Sequence, residues 1–121
     1  MPVVARTKAD LNTQLLQNTN HIKIVSHGRR YFSHYSVMFN ELEYYLSKLA
    51  KLVLYEESDL DGLQFYFNNS LVKVDCGTGN TEIVEYELNK EQFIETVKVV
   101  YMAAANGKKI VFINELKDIN P

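Results

Sequence analysis

Apolar and polar positions follow two rhythms along this chain, a helical spacing near its start, middle and end and a strand-like alternation between. Leu11, Leu15 and Leu16 fall on one side of a helix ahead of the polar stop Asn18-Thr19-Asn20, which predicts a short N-terminal helix over 8–18 with a small apolar stripe. Residues 22–25 and 31–33 read as two strands of a hairpin around Ser26-His27-Gly28, because a three-residue loop needs its last residue in the left-handed region that glycine tolerates. In that register Ile22 faces Phe32 and Ile24 faces Arg30, while Lys23 and Tyr31 share a basic, aromatic face.

From 38 to 50 the positions Met38, Leu42, Tyr45, Leu46 and Leu49 predict a helix, with Asn40 to Glu43 in the form of a capping box one turn in. No Gly or Pro separates it from Leu52-Val53-Leu54-Tyr55, so that run is open to two readings, a strand or a continuation of the helix. An acidic loop follows over 56–62. Residues 63–67 alternate, Asn68-Asn69 is a turn pair that tolerates positive φ, and 71–74 return as the second arm of a hairpin. A turn at 76–80 then leads to a further alternating strand over 81–88, with Val84, Tyr86 and Leu88 inward, completing an antiparallel meander.

Asn89, with Gln92 three residues on, caps a helix whose stripe of Phe93, Val97, Val100, Tyr101 and Ala104 runs until Asn106-Gly107. Residues 110–113 are apolar on both faces, which predicts an inner strand covered on both sides, or covered once by a helix and once by a partner subunit. The chain should end in a flexible tail from about 115. The expected fold class is therefore α+β: an antiparallel sheet of about five or six strands with two main helices packed on it and a short N-terminal helix. No repeat or linker divides residues 1–121, and the two prolines stand at positions 2 and 121, so a single domain is expected.

Composition narrows the function classes. Hydrophobic residues make up 46% and charged residues 23%, ordinary globular usage that argues against wholesale disorder. A formal net charge of −2 excludes broad electrostatic wrapping of nucleic acid and leaves room only for a local contact. The first ten residues lack a signal-peptide pattern, and no run reaches the roughly 18 apolar residues of a membrane span, so a cytoplasmic protein without membrane contact is expected. The single cysteine, Cys76, excludes an internal disulfide and a paired-cysteine zinc site, and beside Asp75 it reads as structural. Eight tyrosines, six phenylalanines and no tryptophan hint at contact surface, and with the doubly apolar 110–113 strand they suggest a homo-oligomer.

Against that background one segment stands out. All three histidines and two of the three arginines fall within 21–34, giving the candidate ligand-binding set His21, Lys23, His27, Arg29, Arg30, Tyr31, His34 and Tyr35. Paired arginines grip phosphate or carboxylate through forked hydrogen bonds, and neighbouring tyrosines can stack on a base or sugar. His21 and His34, nearly opposite in the expected hairpin, could alternatively supply acid and base for phosphodiester cleavage. The same residues are also compatible with an ordinary solvated hairpin. Asp59-Leu60-Asp61-Gly62 falls short of a calcium loop, lacking the third alternating ligand, and Gly77-Thr78-Gly79 falls short of a dinucleotide fingerprint, being followed by a strand.

The run from Glu95 to Phe112, a helix leading directly into an apolar strand, is similar in pattern to the end of pentameric B subunits of bacterial toxins. Those subunits are secreted and generally disulfide-bonded, whereas this chain has one cysteine, and the resemblance is set aside. The leading expectation is a non-enzymatic binding protein, without catalytic residues, metal or cofactor, whose 21–35 hairpin contacts a nucleotide, a nucleic-acid backbone or an acidic protein surface. The alternative is an interaction or inhibitor protein of bacterial or mobile-element origin that masks a partner's surface. A small His/Arg phosphodiester-cleaving enzyme comes third.

Overall fold

The computed structural model describes residues 2–17, 19–77 and 79–113. Along the chain run β1 (Val3–Val4), α1 (Lys8–Leu16), β2 (Ile22–His27), α2 (Phe32–Leu42), β3 (Ala50–Tyr55), β4 (Gly62–Phe67), β5 (Ser70–Asp75), α3 (Lys90–Ala105) and β6 (Ile110–Phe112). The strands form one sheet in the order β1-β3-β2-β4-β5-β6. It is mixed rather than antiparallel: β3 runs parallel to both β1 and β2, and β6 parallel to β5, while β2/β4 and β4/β5 are antiparallel. Parallel neighbours need a crossover between them, and α2 supplies it between β2 and β3.

This corrects the expected hairpin over 22–33. All six residues of β2 are buried, and both its edges are occupied, by β3 and β4, so no hydrogen-bonding edge is left for residues 31–33. Those residues instead open α2, which starts six positions before the helix expected over 38–50 and carries Asn40 in its interior, away from any cap. Gly28 does adopt positive φ, +81°, but to turn the chain out of β2 toward α2; a Cβ there would lie 2.2 Å from both the Leu60 carbonyl oxygen and an Asp61 carboxylate oxygen. Residues 50–55 are strand, which settles that ambiguity.

The 63–74 hairpin forms as expected, with Asn68 and Asn69 at φ 51° and 63°. Residues 81–88 do not add a third antiparallel strand. Their one bridge joins Val84 to Leu63, and the outer edge of β5 is taken by β6. As the last strand of the sheet, β6 is not the inner element expected: Val111 and Ile113 are buried, but Ile110 is 42% and Phe112 59% exposed.

Two apolar layers hold the sheet. On one face α2 and α3 pack Tyr35, Phe39, Phe93, Val97 and Val100 against Ile24, Leu52, Phe65 and Val74. On the other, Leu11 and Leu15 of α1 pack with Ala5, Val25 and Val53, while Leu16 faces outward. The capping box at Asn89 and Gln92 is present, and a second one, Thr7 with Asp10, starts α1. The tail expected from about 115 lies outside the described residues.

Candidate functional site

The parallel strands β2 and β3 deliver their carboxyl ends side by side, the place where open sheets with crossovers commonly present a site. His27 closes β2, Tyr55 closes β3, and Gly28 donates its backbone N–H to the Tyr55 carbonyl at 2.9 Å. Loop 56–61 folds over this junction. Both oxygens of the Glu57 carboxylate accept from Arg29 Nη2 at 3.2 Å, the Arg30 backbone N–H donates to Asp61 Oδ1 at 3.3 Å, and His27 Nδ1 lies 2.7 Å from Ser58 Oγ. The acidic loop is thus the electrostatic partner of the basic turn.

His27 is only 3% exposed, its ring meets Tyr55 edge-on at 5.8 Å, and its Nε2 has no hydrogen-bond partner. Burial disfavours the imidazolium and holds its pKa down to about 4, with the Gln64 side chain offsetting part of the shift, so His27 is neutral near pH 7. It is not a source of positive charge there.

The other members of the sequence-predicted set are scattered. His21 precedes β2, its ring nitrogens lying 3.1 Å from Asn20 Oδ1 and from the Ser47 carbonyl oxygen. Lys23 is inside the sheet at 2% exposure, its pKa lowered by burial and by Lys51, its register partner on β3. Arg29 and Arg30 are exposed, Arg30 stacking 5.3 Å above the Tyr31 ring. Tyr31, His34 and Tyr35 turn to the core side and hold residues 85–88: the Tyr31 hydroxyl donates to the Glu85 carbonyl, His34 Nε2 reaches the Leu88 carbonyl at 2.6 Å, and the Tyr35 hydroxyl donates to the Tyr86 carbonyl at 2.9 Å while accepting from the Leu88 N–H at 2.9 Å. These side chains take the place of a strand partner. That is why 81–88, patterned like a strand, needs no ladder.

His21 and His34, expected to face each other, bond to different carbonyls on different segments and share no partner. Among the described residues no three His, Cys, Asp or Glu side chains converge as a metal site would require, and no helix is long and apolar enough to cross a membrane. The junction's acidic contributors, Glu57 and Asp61, were missing from the predicted set. Their signal was the run 56–61 itself, opposite in sign to Arg29-Arg30.

Residues 3–116 match the family described as Mitosis protein DIM1. Thioredoxin-like protein 4A homolog of Dictyostelium discoideum is 35% identical over 69 residues, 56% of this chain and 42% of that protein. Mitosis protein dim1 of Schizosaccharomyces pombe is 29% identical over 59 residues, 48% of this chain and 42% of that protein. The chain therefore spans about two-fifths of the length of these curated relatives. These matches overturn the reading of an anion-binding hairpin and, with it, the alternatives of a bacterial or mobile-element inhibitor and a His/Arg phosphodiesterase; the hairpin itself does not form.

Proposed function

We propose, for a chain that belongs to the DIM1 family of mitosis proteins, that it works as a protein-binding subunit of a spliceosomal assembly, holding partners in place rather than turning over a substrate. One observation carries the second half of this reading. A redox-active thioredoxin relative needs a low-pKa cysteine pair in a Cys-X-X-Cys motif, placed near a strand–helix–strand unit. The corresponding junction between β2 and α2 reads Gly28-Arg29-Arg30-Tyr31, and the single cysteine, Cys76, is buried at 1% exposure beyond the end of β5.

Protein partners suit the exterior. Val37, Tyr44, Met102 and Phe112 are between 59% and 91% exposed, apolar surface of the kind that a protein partner covers. In this reading the exposed side of β6, from which self-association was expected, faces other chains of the assembly. The chain acts as one domain, and its place of work is the nucleus rather than the expected cytoplasm.

The test is sedimentation of the tagged full chain from native extract of its own cells, probed for spliceosomal RNA, beside a disulfide-reduction assay on purified protein. Co-sedimentation with particles containing that RNA, and no reductase turnover, is the expected result. Sedimentation as a free small protein, or catalytic disulfide reduction, would overturn the reading.

A further inference from the structure

We infer that the outer edge of β6 takes up an extended acidic segment of a protein partner as one further strand of the sheet. This deepens the preceding proposal by naming the chemistry of one partner segment, and rests on it for the partner being a protein. Among the described residues β6 is the last strand, with β5 on one side and no strand on the other. Lys73 donates its N–H to the Lys109 carbonyl and Ile113 donates to the Asp75 carbonyl, both at 2.9 Å, so residues 109, 111 and 113 turn their backbone groups toward β5. By the alternation of a strand, the N–H and C=O groups of Ile110 and Phe112 point outward, with no strand opposite them among the described residues. A row of alternating donors and acceptors matches another extended backbone, and a nucleic acid has no such row to offer.

Side chains sharpen the match. Val111 and Ile113 are buried on the α3 side, so Ile110 and Phe112 lie on the opposite face, where they are 42% and 59% exposed. α1 covers that face at Val25 and Val53, toward the β1 end of the sheet. Ile110 and Phe112 thus offer an apolar strip to alternate side chains of an added strand.

Charge decides which segment fits. Lys108 and Lys109 lead into β6 and Lys73 is the register partner of Ile110; all three are exposed, and none makes an ion pair among the described residues. The one carboxylate on β5 and β6, that of Asp75, accepts from the Gly77 N–H at 2.9 Å. This corner is therefore locally basic on a chain whose formal net charge is −2. Lys108 and Lys109 also line a cavity of about 270 Å³ at the start of β6, together with Asn68 and Ser70 and with no carboxylate. An acidic side chain at that end of the added strand meets two ammonium groups there. A second copy of this chain would instead bring a second set of three lysines to a seam about 10 Å long, close to the Debye length at physiological salt, so like charges oppose self-pairing. Lysines beside an edge likewise discourage a neutral apolar strand and favour an acidic one.

The probe is an acetylated, amidated peptide with a Val-Thr-Val-Thr centre and a pair of glutamates at each end, titrated into the full isotope-labelled chain and followed by amide shifts and hydrogen exchange. Its counterparts carry glutamine or lysine in place of glutamate, or methyl groups on the central backbone nitrogens. In the free chain the Ile110 and Phe112 amides should exchange fast while those of Val111 and Ile113 are protected, and saturating glutamate peptide should slow the first two about tenfold or more. The glutamine peptide should bind more weakly, and the lysine and methylated peptides should leave these amides unmoved. Lys108→Gln combined with Lys109→Gln, both at exposed positions, should weaken the glutamate peptide about fivefold at unchanged Tm. Protection of Ile110 and Phe112 already present in the free chain would give the edge to this chain itself or, where it grows with protein concentration, to a second copy, and either result overturns the proposal. Equal binding of the glutamate and glutamine peptides, unchanged affinity in the double variant, or tighter binding of an oligouridylate than of the glutamate peptide would overturn it too. Failure here with intact co-sedimentation removes the added strand alone, whereas strand addition by a chain that never enters a large particle removes the assembly reading and keeps the edge site.

Discussion

Deleting one buried oxygen, by Tyr35→Phe, tests the arrangement that distinguishes this fold from the one its pattern suggests. The phenol is fully buried, donates to the Tyr86 carbonyl and accepts from the Leu88 N–H, both at 2.9 Å. Phenylalanine keeps the ring and its packing on Phe39 and Phe93, whose centroids lie 5.8 and 6.3 Å away, so no cavity is made. What is lost is one acceptor for a buried N–H and one donor to a carbonyl. An unsatisfied buried group costs about 1–3 kcal/mol, and the N–H suffers more because a carbonyl has a second lone pair, so the total should be about 2–4 kcal/mol. For a domain of this size that lowers Tm on the order of 10 °C. Urea unfolding supplies the free energy, and hydrogen exchange at the Leu88 amide shows whether the loss is local. A change below about 0.5 kcal/mol, with the Leu88 amide still protected, would refute the idea that side chains of α2 substitute for a strand partner. The alkaline limb gives a second reading of the same group. Burial raises the Tyr35 pKa, so above about pH 10 the unfolded chain releases a proton that the folded one keeps, and stability falls as pH rises. Tyr35→Phe should make that decline shallower.

Three further outcomes follow from the packing. His27 has its pKa depressed from 6.5 to about 4, so the unfolded chain binds a proton that the folded one refuses; stability should be full above pH 6.5 and fall by up to about 3 kcal/mol as pH drops toward 4. Urea midpoints across that range, compared with those of His27→Asn, isolate the contribution, and parallel curves would contradict it. Val100→Asp places a charge at a fully buried position of α3 and should cost several kcal/mol; an unchanged melting temperature would remove α3 from the core. Arg29→Ala breaks an ion pair whose partners are 73% and 59% exposed, so thermal unfolding should move by no more than about 0.5 kcal/mol, and a larger loss would show that the pair anchors the loop more strongly than exposure implies.

Elements whose signals are local were legible in the chain. Asn89 with Gln92 caps α3, Asn68-Asn69 turns β4 into β5, and both depend on residues within a few positions of each other. What depended on distant partners was not. Residues 22–27 and 31–33 look like hairpin arms because two short apolar runs flank a glycine, but whether such a run pairs with its neighbour or becomes a central strand is decided by β3 and β4, which lie beyond it in sequence. Likewise 81–88 has the alternation of a strand, and its fate is set by Tyr31 and Tyr35 half the chain away. At 110–113 the doubly apolar pattern was read as burial on two sides, whereas Ile110 and Phe112 show that an apolar position on an edge strand can equally be surface.

The misreading of the candidate site has the same origin. A histidine or arginine in isolation is assigned to water or to a ligand, yet the structure spends these side chains on its own backbone and on its own acidic loop: His21 and His34 bond carbonyls, Arg29 bonds Glu57, and Lys23 lies inside the sheet. Crowding of basic residues in 21–34 therefore marks side chains spent on separate internal contacts, and it marks no free anion-binding face. The charge that matters for a partner is what remains after those internal pairings are subtracted. At the junction Arg29 is paired with Glu57 and Asp61 accepts from the Arg30 N–H, so the basic turn and the acidic run offset each other.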